Sequence, residues 1–316
     1  MTRIGRNKML AAGHFAGGSY ELNLHELNDF TLQNYYIFCI YANFFVPLHE
    51  IFRKRVFMIE QYSHQYSITA ADMDTGYRMT PSAVLLYYQD CWARYMGCLH
   101  LAAFDIVKKN LMWVISEFNA WTTGETAYWG DDIEVTVWNS EISALRVYAE
   151  FRITKAGGRE VAHGYGVWTL LDTVARRLAP NTPLAPMMTA LPQFTTDGHK
   201  KHRFPTGGTL EQQIEHRVNP INLDFNGHVN NRTYLSIAMQ TANEQFMNAF
   251  AIRSFAIHWL HETFLNDILT CSVYAFESGV YVHSIANREG KAVAEIYSEW
   301  VPRGAEPDVA DIACRI

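Results

Sequence analysis

The chain has 316 residues, a formal net charge of −6 and 49% hydrophobic residues. This composition supplies a packed core and excludes a disordered chain, and the length suits one large domain or two of ordinary size. The acidic balance argues against nucleic acid as the main partner, because a phosphate backbone requires a concentrated Lys and Arg surface.

The five cysteines indicate a reducing compartment. They are odd in number, scattered and without C-x-x-C spacing, which argues against a disulfide framework and against a structural zinc site. We therefore expect a cytoplasmic protein.

Residues 1–57 differ in pattern from the rest of the chain. Their aromatic-rich segment is interrupted by Gln33, Asn34 and Asn43, so it is a poor candidate for a membrane helix, which needs about 20 mostly apolar residues. No small-residue cleavage site of a secretory signal follows it. We predict an N-terminal extension over residues 1–57 and hypothesise that the functional protein begins near Met58.

The next stretch predicts one long helix. Residues 68–80 pass from an extended segment through a polar turn to Thr80, which can cap a helix whose first turn accepts Pro81. The apolar side chains that follow recur at helical spacing on one broad face. They are Val84, Leu85, Tyr88, Trp92, Tyr95 and Met96.

The pattern then changes to strands. Residues 145–155 alternate apolar side chains with a polar set that includes Glu150, which predicts a strand with one face in water. The AGGRE segment at 156–160 predicts a hairpin turn into the next strand.

The second half of the chain repeats this order. Its stretch is extended to Leu223, passes through an Asp/Asn/Gly turn and becomes helical, and Ser278-Gly279 and Glu289-Gly290 supply later turns. The inner face of this helix is predicted to contain Tyr234, Ile237, Ala238 and Thr241.

The two turns can be aligned by their acidic and amide residues. We match Asp72-x-Asp74 in the first copy with Asp224-x-Asn226 in the second. The first copy has no His that corresponds to His228 of the second copy. We therefore expect the first half to be non-catalytic.

The order of elements predicts an α+β protein. A single long helix with an antiparallel sheet must bury its apolar face against that sheet. We predict two tandem units, 58–180 and 209–316, joined by a proline-rich linker at 181–208. A helix wrapped by a curved antiparallel sheet, twice in tandem, describes the double hot-dog arrangement.

The stretch DFNGHVN at residues 224–230 resembles the D-x-N-x-H-V-N motif of acyl-acyl-carrier-protein thioesterases. NLMWVISEFNAWT at 110–122 and GYGVWTLLD at 164–172 also resemble the first half of that family, in its bacterial form. The resemblance runs from about Tyr62 to Val301. It implies hydrolysis of fatty acyl thioesters on acyl-carrier protein, release of free fatty acid, and no cofactor.

The motif residues suit this chemistry. Thioester hydrolysis requires a delivered water and a stabilised oxyanion. Asn226 offers an amide N–H, and His228 can act as donor or base near neutral pH. Each residue alone also fits a structural role: Asp224 as a turn residue and Asn230 or Asn231 as a helix cap.

The motif itself contains no base strong enough to activate water, and the family resemblance supplies one. It places a Glu in the strand after the helix, here Glu262, as general base or nucleophile. Asn226 and His228 would bind water and the thioester carbonyl, while Asp224 holds their loop by hydrogen bonds. Whether Glu262 or His228 takes the proton stays open. Plant members carry a Cys after this Glu, whereas Thr263 stands here, which argues against a cysteine nucleophile.

An acyl pocket is predicted in the first half. Its wall would be formed by side chains of the helix and the next strand that could equally be core residues: Leu85, Tyr88, Trp92, Trp113 and Phe118.

We predict no metal site. His258 and His261 lie close to Glu262 in the sequence, but on a strand they would point to opposite faces.

The predicted partner is an acyl-carrier protein, with no nucleic acid and no membrane, and a homodimer stays open. The basic clusters at Arg176-Arg177 and at residues 200–203 are candidates for docking this acidic partner.

Three alternatives remain. The substrate could be acyl-CoA, the chain could be a non-enzymatic acyl-binding module, or it could be a hot-dog dehydratase. A binding module needs neither Glu262 nor His228, and the Asn226-x-His228 spacing favours hydrolysis over dehydration.

Overall fold

The structure is a computed structural model that describes residues 12–15, 18–21, 59–75, 77–199 and 202–304. It divides into two units, Met1–Phe57 and Met58–Ile316. In the first unit, β1 (Ala12–Phe15) and β2 (Gly18–Glu21) pair antiparallel. The hypothesis that the functional protein begins near Met58 concerns residues that lie mostly outside the described ranges, and it stays a prediction.

The second unit contains two successive sets of elements, here called the first half and the second half. The elements of the first half are β3 (Gln61–Ser67), α1 (Pro81–Cys98), α2 (Ala103–Ile106), β4 (Leu111–Thr122), β5 (Asp132–Ile142), β6 (Val147–Lys155), β7 (Arg159–Asp172) and β8 (Arg177–Ala179). Those of the second half are β9 (Thr209–Arg217), α3 (Asn231–Met239), α4 (Glu244–Ala249), β10 (Phe250–Trp259), β11 (Ile268–Ala275), β12 (Val280–Ala286) and β13 (Ala292–Pro302).

One antiparallel sheet runs through both halves. Its strand order is β3-β5-β6-β7-β4-β10-β13-β12-β11-β9, with β8 paired to β7. Each half therefore has the same internal order, and β4 joins β10 at the seam, where Trp121 pairs with Ser254 and Glu117 with His258. This repeated arrangement confirms the α+β double hot-dog fold.

Helix α1 has the predicted start and the predicted buried face. The Thr80 hydroxyl accepts a hydrogen bond from the Ala83 N–H at 3.2 Å, and Pro81 occupies the first helical position. All six side chains of the predicted face are buried, and α1 packs against β3 and β5. Among the described residues, no helix is long and apolar enough to cross a bilayer.

The second helix is shorter than predicted. Tyr234, Ile237 and Ala238 are buried as expected, but α3 ends at Met239 and Thr241 lies beyond it. The Thr241 hydroxyl donates to the Ala238 carbonyl at 2.7 Å. Such local bonds offer the backbone an alternative to helix. Asn243 then caps α4.

The predicted alignment of the two turns is wrong by two residues. The Asp74 N–H donates to the Arg78 carbonyl at 2.9 Å, and the Asp224 N–H donates to the His228 carbonyl at 2.8 Å. The structure therefore equates Asp74 with Asp224, not with Asn226. Both side chain types serve in such turns, so residue type alone did not determine the register.

The prediction that the polar face of β6 lies in water is wrong at Glu150. Glu150 is 0% exposed, because residues 193–199 of the predicted linker cover it. Its carboxylate accepts from the Thr195 hydroxyl at 2.6 Å and from the Ser140 hydroxyl at 3.0 Å. It also lies 2.6 Å from the His199 Nε2 atom. This segment is thus anchored against the first half.

Candidate active site

The polar turn of the second half is organised by Asp224. Its Oδ1 atom accepts hydrogen bonds from the backbone N–H groups of Asn226 at 2.8 Å and His228 at 3.2 Å. Its Oδ2 atom lies 3.4 Å from the Asn226 amide nitrogen. Gly227 has φ of 78°, a conformation that glycine adopts without strain. The turn therefore has a defined backbone and a defined carboxylate partner.

Helix α3 begins directly after this turn. The Asn230 side chain accepts from the Arg232 N–H at 3.0 Å, so the predicted capping role is confirmed for Asn230. Val229 between the turn and the cap is buried, which ties the turn to the core.

Glu262 lies in a loop, and the prediction that it lies in the strand is wrong. Strand β10 ends at Trp259. The N–H groups of Leu260 and His261 both donate to the Val293 carbonyl, at 2.8 and 3.1 Å, so the chain turns away from regular pairing. The Glu262 side chain remains 32% exposed.

This loop is bonded to the turn and to α3 through Thr263. The Thr263 carbonyl accepts from the Val229 N–H at 3.1 Å. The Thr263 hydroxyl lies 2.6 Å from the Tyr234 hydroxyl. Burial raises the pKa of Tyr234 to about 12, so the phenol stays protonated at neutral pH. Because Thr263 is only 1% exposed, it acts as an anchor for the Glu262 loop.

The four predicted site residues line one cavity of about 170 Å³. They are Asp224, Asn226, His228 and Glu262. Apolar residues of β4, from the first half, complete the wall: Met112, Trp113, Val114 and Ile115. Typical ligand pockets measure about 300 to 1,000 Å³, so this space suits a reacting group and not a long acyl chain. The cavity is shared between the two halves.

Sequence reasoning missed the partner of Glu262. The guanidinium Nη2 of Arg176, in the turn between β7 and β8, lies 2.9 Å from the Glu262 Oε2 atom. Arg176 is 70% exposed, so this ion pair contributes about 0 to 1 kcal/mol to stability. The sequence identified Arg176 only as part of a basic cluster. Its partner Glu262 lies in a loop 86 residues further along the chain, so no local pattern shows the pair.

The two histidines near Glu262 lie in different environments. His258 is buried within β10, and its ring stacks on Phe204 at 4.3 Å between centroids. His261 lies beyond the strand end, is exposed and lines the cavity.

The first half carries different groups at the equivalent positions. Arg78 stands where the second half has His228. The Met79 N–H donates to the Ala127 carbonyl at 2.9 Å, as Val229 does to Thr263, which places Thr126 opposite Glu262. The first-half turn therefore has neither the His nor the Glu.

Only one of the five residues predicted to form the acyl wall lines the cavity. Trp113 lines the cavity. The other four side chains belong to the core, and their exposures are 0% for Leu85, Tyr88 and Phe118 and 2% for Trp92. The acyl pocket stays a prediction.

Two variants of Asp224 should distinguish its role in positioning the turn from a direct effect of its charge on the reaction. We expect Asp224→Ala to lower kcat by up to about 10²-fold, because a misplaced reacting group has costs of that order. Asp224→Asn keeps an Oδ1 acceptor for both backbone N–H groups and should retain most of the activity. Steady-state kinetics on an acyl thioester measures both. Equal losses in the two variants would assign the carboxylate charge a direct role and contradict this explanation.

The fold and the shared cavity define a tandem hot-dog protein with a candidate hydrolytic site at its seam. Family models support this class. The acyl-ACP thioesterase N-terminal domain matches residues 60–183, and the C-terminal domain matches residues 208–302. The chain belongs to the acyl-ACP thioesterase family.

Curated relatives are plant proteins. An acyl-[acyl-carrier-protein] hydrolase of Cuphea viscosissima, described as chloroplastic, is 24% identical over 219 residues, covering 64% of this chain and 51% of the relative. A palmitoyl-acyl carrier protein thioesterase of Cuphea hookeriana is 20% identical over 215 residues, covering 63% and 51%. The chain spans about half the length of these relatives.

Solved structures share the fold. A 12:0-ACP thioesterase from Umbellularia californica superposes with a TM-score of 0.68 at 18% identity, covering 77% of this chain and 97% of that protein. An acyl-ACP thioesterase from Bacteroides thetaiotaomicron gives 0.65 at 15% identity, covering 77% and 98%.

Proposed function

We propose that the protein hydrolyses the thioester of fatty acyl-acyl-carrier protein and releases a free fatty acid. One observation carries this proposal: Asp224, Asn226, His228 and Glu262 line the same cavity against an apolar wall from the other half. Family membership supports the same chemistry. Only the second half carries these groups, so we propose that the first half is non-catalytic and supplies the apolar surface.

The mechanism follows from the side chains. The Glu262 carboxylate accepts a proton from a water as its oxygen attacks the thioester carbonyl. The Asn226 amide and His228 donate hydrogen bonds to the water and to the carbonyl oxygen, where negative charge develops. The carbon–sulfur bond then breaks, and the thiolate takes up the proton held by Glu262. Asp224 holds the Asn226 and His228 backbone throughout.

Glu262 could instead attack the carbonyl itself. That route forms an acyl–Glu262 anhydride that water then hydrolyses. The Glu262 side chain is partly exposed, so water reaches its carboxylate, as both routes require. The scattered cysteines support a cytoplasmic location for this activity.

The decisive experiment measures thiol release from a panel of acyl-carrier-protein and acyl-CoA thioesters with matched acyl chains. We expect kcat/KM to be at least about tenfold higher for the carrier-bound substrate, a difference of about 1.4 kcal/mol in transition-state binding. Equal or better cleavage of acyl-CoA would move the substrate to coenzyme A. No thiol from either would overturn hydrolysis and favour a binding module.

A further inference from the structure

Four chain segments converge around the mouth of the cavity. The Thr173 N–H donates to the Asn110 carbonyl at 2.9 Å, which joins the β7–β8 turn to the segment after α2. The Phe104 and Phe225 rings lie 6.1 Å apart, which joins α2 to the Asp224 turn. The ion pair of Glu262 with Arg176 closes the ring. We call the exposed residues of these segments (103–109, 173–177, 221–225 and 260–265) the mouth surface.

The mouth surface is unusually apolar for exposed positions. Its four most exposed large apolar residues are Ile221 at 89%, Phe104 at 76%, Phe225 at 76% and Val174 at 75%. Val107 is 57% exposed, and Leu260, Phe264 and Leu265 add exposures of 43% to 44%. Groups of exposed apolar residues such as the Phe104–Phe225 pair and its neighbours in these segments mark interaction sites on globular proteins.

These side chains lie outside the reaction space. Of these eight residues, only Leu260 also lines the cavity. A small thioester bound beside Asn226 and Glu262 would therefore leave the other seven in water. A ligand much larger than the reacting group would cover them.

The mouth surface also carries positive charge. Lys108 and Lys109 follow α2 and are exposed, as are Arg176 and Arg177 at the β7–β8 turn. The whole chain has a net charge of −6, so this local cluster of cations stands against the overall balance. A positive surface steers an acidic partner during encounter and fixes its orientation.

We propose that the mouth surface is the docking site for the acyl-carrier protein, which is acidic, and that the segment 103–109 is its main contact. This rests on the proposed function, because the carrier must bring its thioester to the cavity that the surface surrounds. The apolar side chains contact the carrier, and Lys108, Lys109 and Arg177 face its carboxylates, while Arg176 stays paired with Glu262.

A protein fits this surface better than an anionic membrane. The ring encloses two carboxylates of the site, Asp224 and Glu262, and Asp105 lies within the α2 segment. A flat anionic bilayer would be repelled at those points, whereas a folded partner can place its own charges between them.

Two variants on the 103–109 segment test the proposal, and neither alters a cavity-lining residue. Lys108→Glu/Lys109→Glu reverses the charge, and Phe104→Ser removes the apolar contact. For each, we expect KM for acyl-carrier protein to rise about tenfold or more, with kcat/KM for a short acyl-pantetheine of the same chain within about twofold of wild type. The charge variant should also lose most of the salt dependence of KM.

Matched controls lie at the opposite end of β11. Arg203 borders a groove with Gly208 and Ala275, and Leu210 is 50% exposed and pairs with Tyr274. Arg203→Glu and Leu210→Ser should leave KM for the carrier substrate unchanged. Arg203 belongs to the second basic cluster considered for docking, and the two lysines of that cluster, Lys200 and Lys201, lie outside the described residues.

The possible outcomes are distinct. Equal losses on both substrates, no loss on either, or the same loss in the controls would overturn the docking site. Loss of binding to phosphatidylglycerol vesicles with unchanged carrier KM would assign the surface to lipid and also overturn the docking site.

If wild type cleaves no thioester, the proposed function fails, but docking is still measured by fluorescence anisotropy with the carrier protein. A tenfold weaker Kd in the two variants would then support docking alone.

Discussion

We expect Glu262→Gln to lower kcat for acyl thioesters by about 10³-fold, the middle of the range for loss of a general base. Gln keeps the size of the side chain and a polar contact for Arg176, but it cannot take a proton from water. Arg176 is 70% exposed and Glu262 is partly exposed, so the free energy of unfolding should change by less than about 1 kcal/mol. Thiol-release kinetics and urea denaturation measure the two quantities.

The first half provides a matched control. Glu125 lies in the loop equivalent to that of Glu262, and its carboxylate is 2.7 Å from the Lys155 Nζ atom. Glu125→Gln should leave kcat unchanged if the first half is non-catalytic. Undiminished turnover in Glu262→Gln, or an equal loss in Glu125→Gln, would contradict the mechanism.

Isotope labelling separates base from nucleophile. A single turnover in ¹⁸O-labelled water places the label only in the fatty acid if Glu262 activates water. The anhydride route would place label in the Glu262 side chain after repeated turnovers, because water can attack the carboxyl carbon of Glu262. Mass spectrometry of the peptide containing Glu262 distinguishes them.

The largest stability effect should come from Glu150→Ala, with a loss of about 3 to 5 kcal/mol in the free energy of unfolding, because several polar groups lose one shared partner and each such loss costs about 1 to 3 kcal/mol. The change removes the acceptor of the Thr195 and Ser140 hydroxyls and the carboxylate 2.6 Å from His199. Those groups, which are buried or partly buried, would lose that partner at a desolvation cost.

The matched control is on the neighbouring strand. Glu134 of β5 is exposed, and Glu134→Ala should change the unfolding free energy by no more than about 0.5 kcal/mol. Urea unfolding followed by circular dichroism measures both variants. If Glu150→Ala costs no more than the control, then the Glu150 contacts do not anchor residues 193–199.

Local patterns were sufficient for much of the fold. The Thr80 cap, the Pro81 start and the buried face of α1 depend on residues within a few positions of one another, so the sequence predicted all three. The hairpin turn before β7 follows the same logic, since Gly157 has φ of 80°. The hot-dog class followed from the order of these local elements.

The candidate site was predictable where a motif carries it. Asp224, Asn226 and His228 lie within one turn whose geometry Asp224 itself establishes, and the family resemblance added Glu262. The register of the two turns was not predictable, because Asp and Asn at several positions can make similar hydrogen bonds. The loop position of Glu262 was also missed, since β10 ends through bonds to Val293 on another strand.

The sequence by itself determined the start and buried face of α1, the hairpin turn before β7 and the polar turn that contains Asp224, Asn226 and His228, because short-range spacing and hydrogen-bonding chemistry specify them, and the family resemblance added Glu262. Only the tertiary structure decided that Glu150 is buried, that Arg176 pairs with Glu262 and that β4 walls the cavity. Each of these depends on segments far apart in the chain that meet after folding. Burial and pairing depend on which distant segments pack together, and no local sequence pattern specifies which surface will be covered.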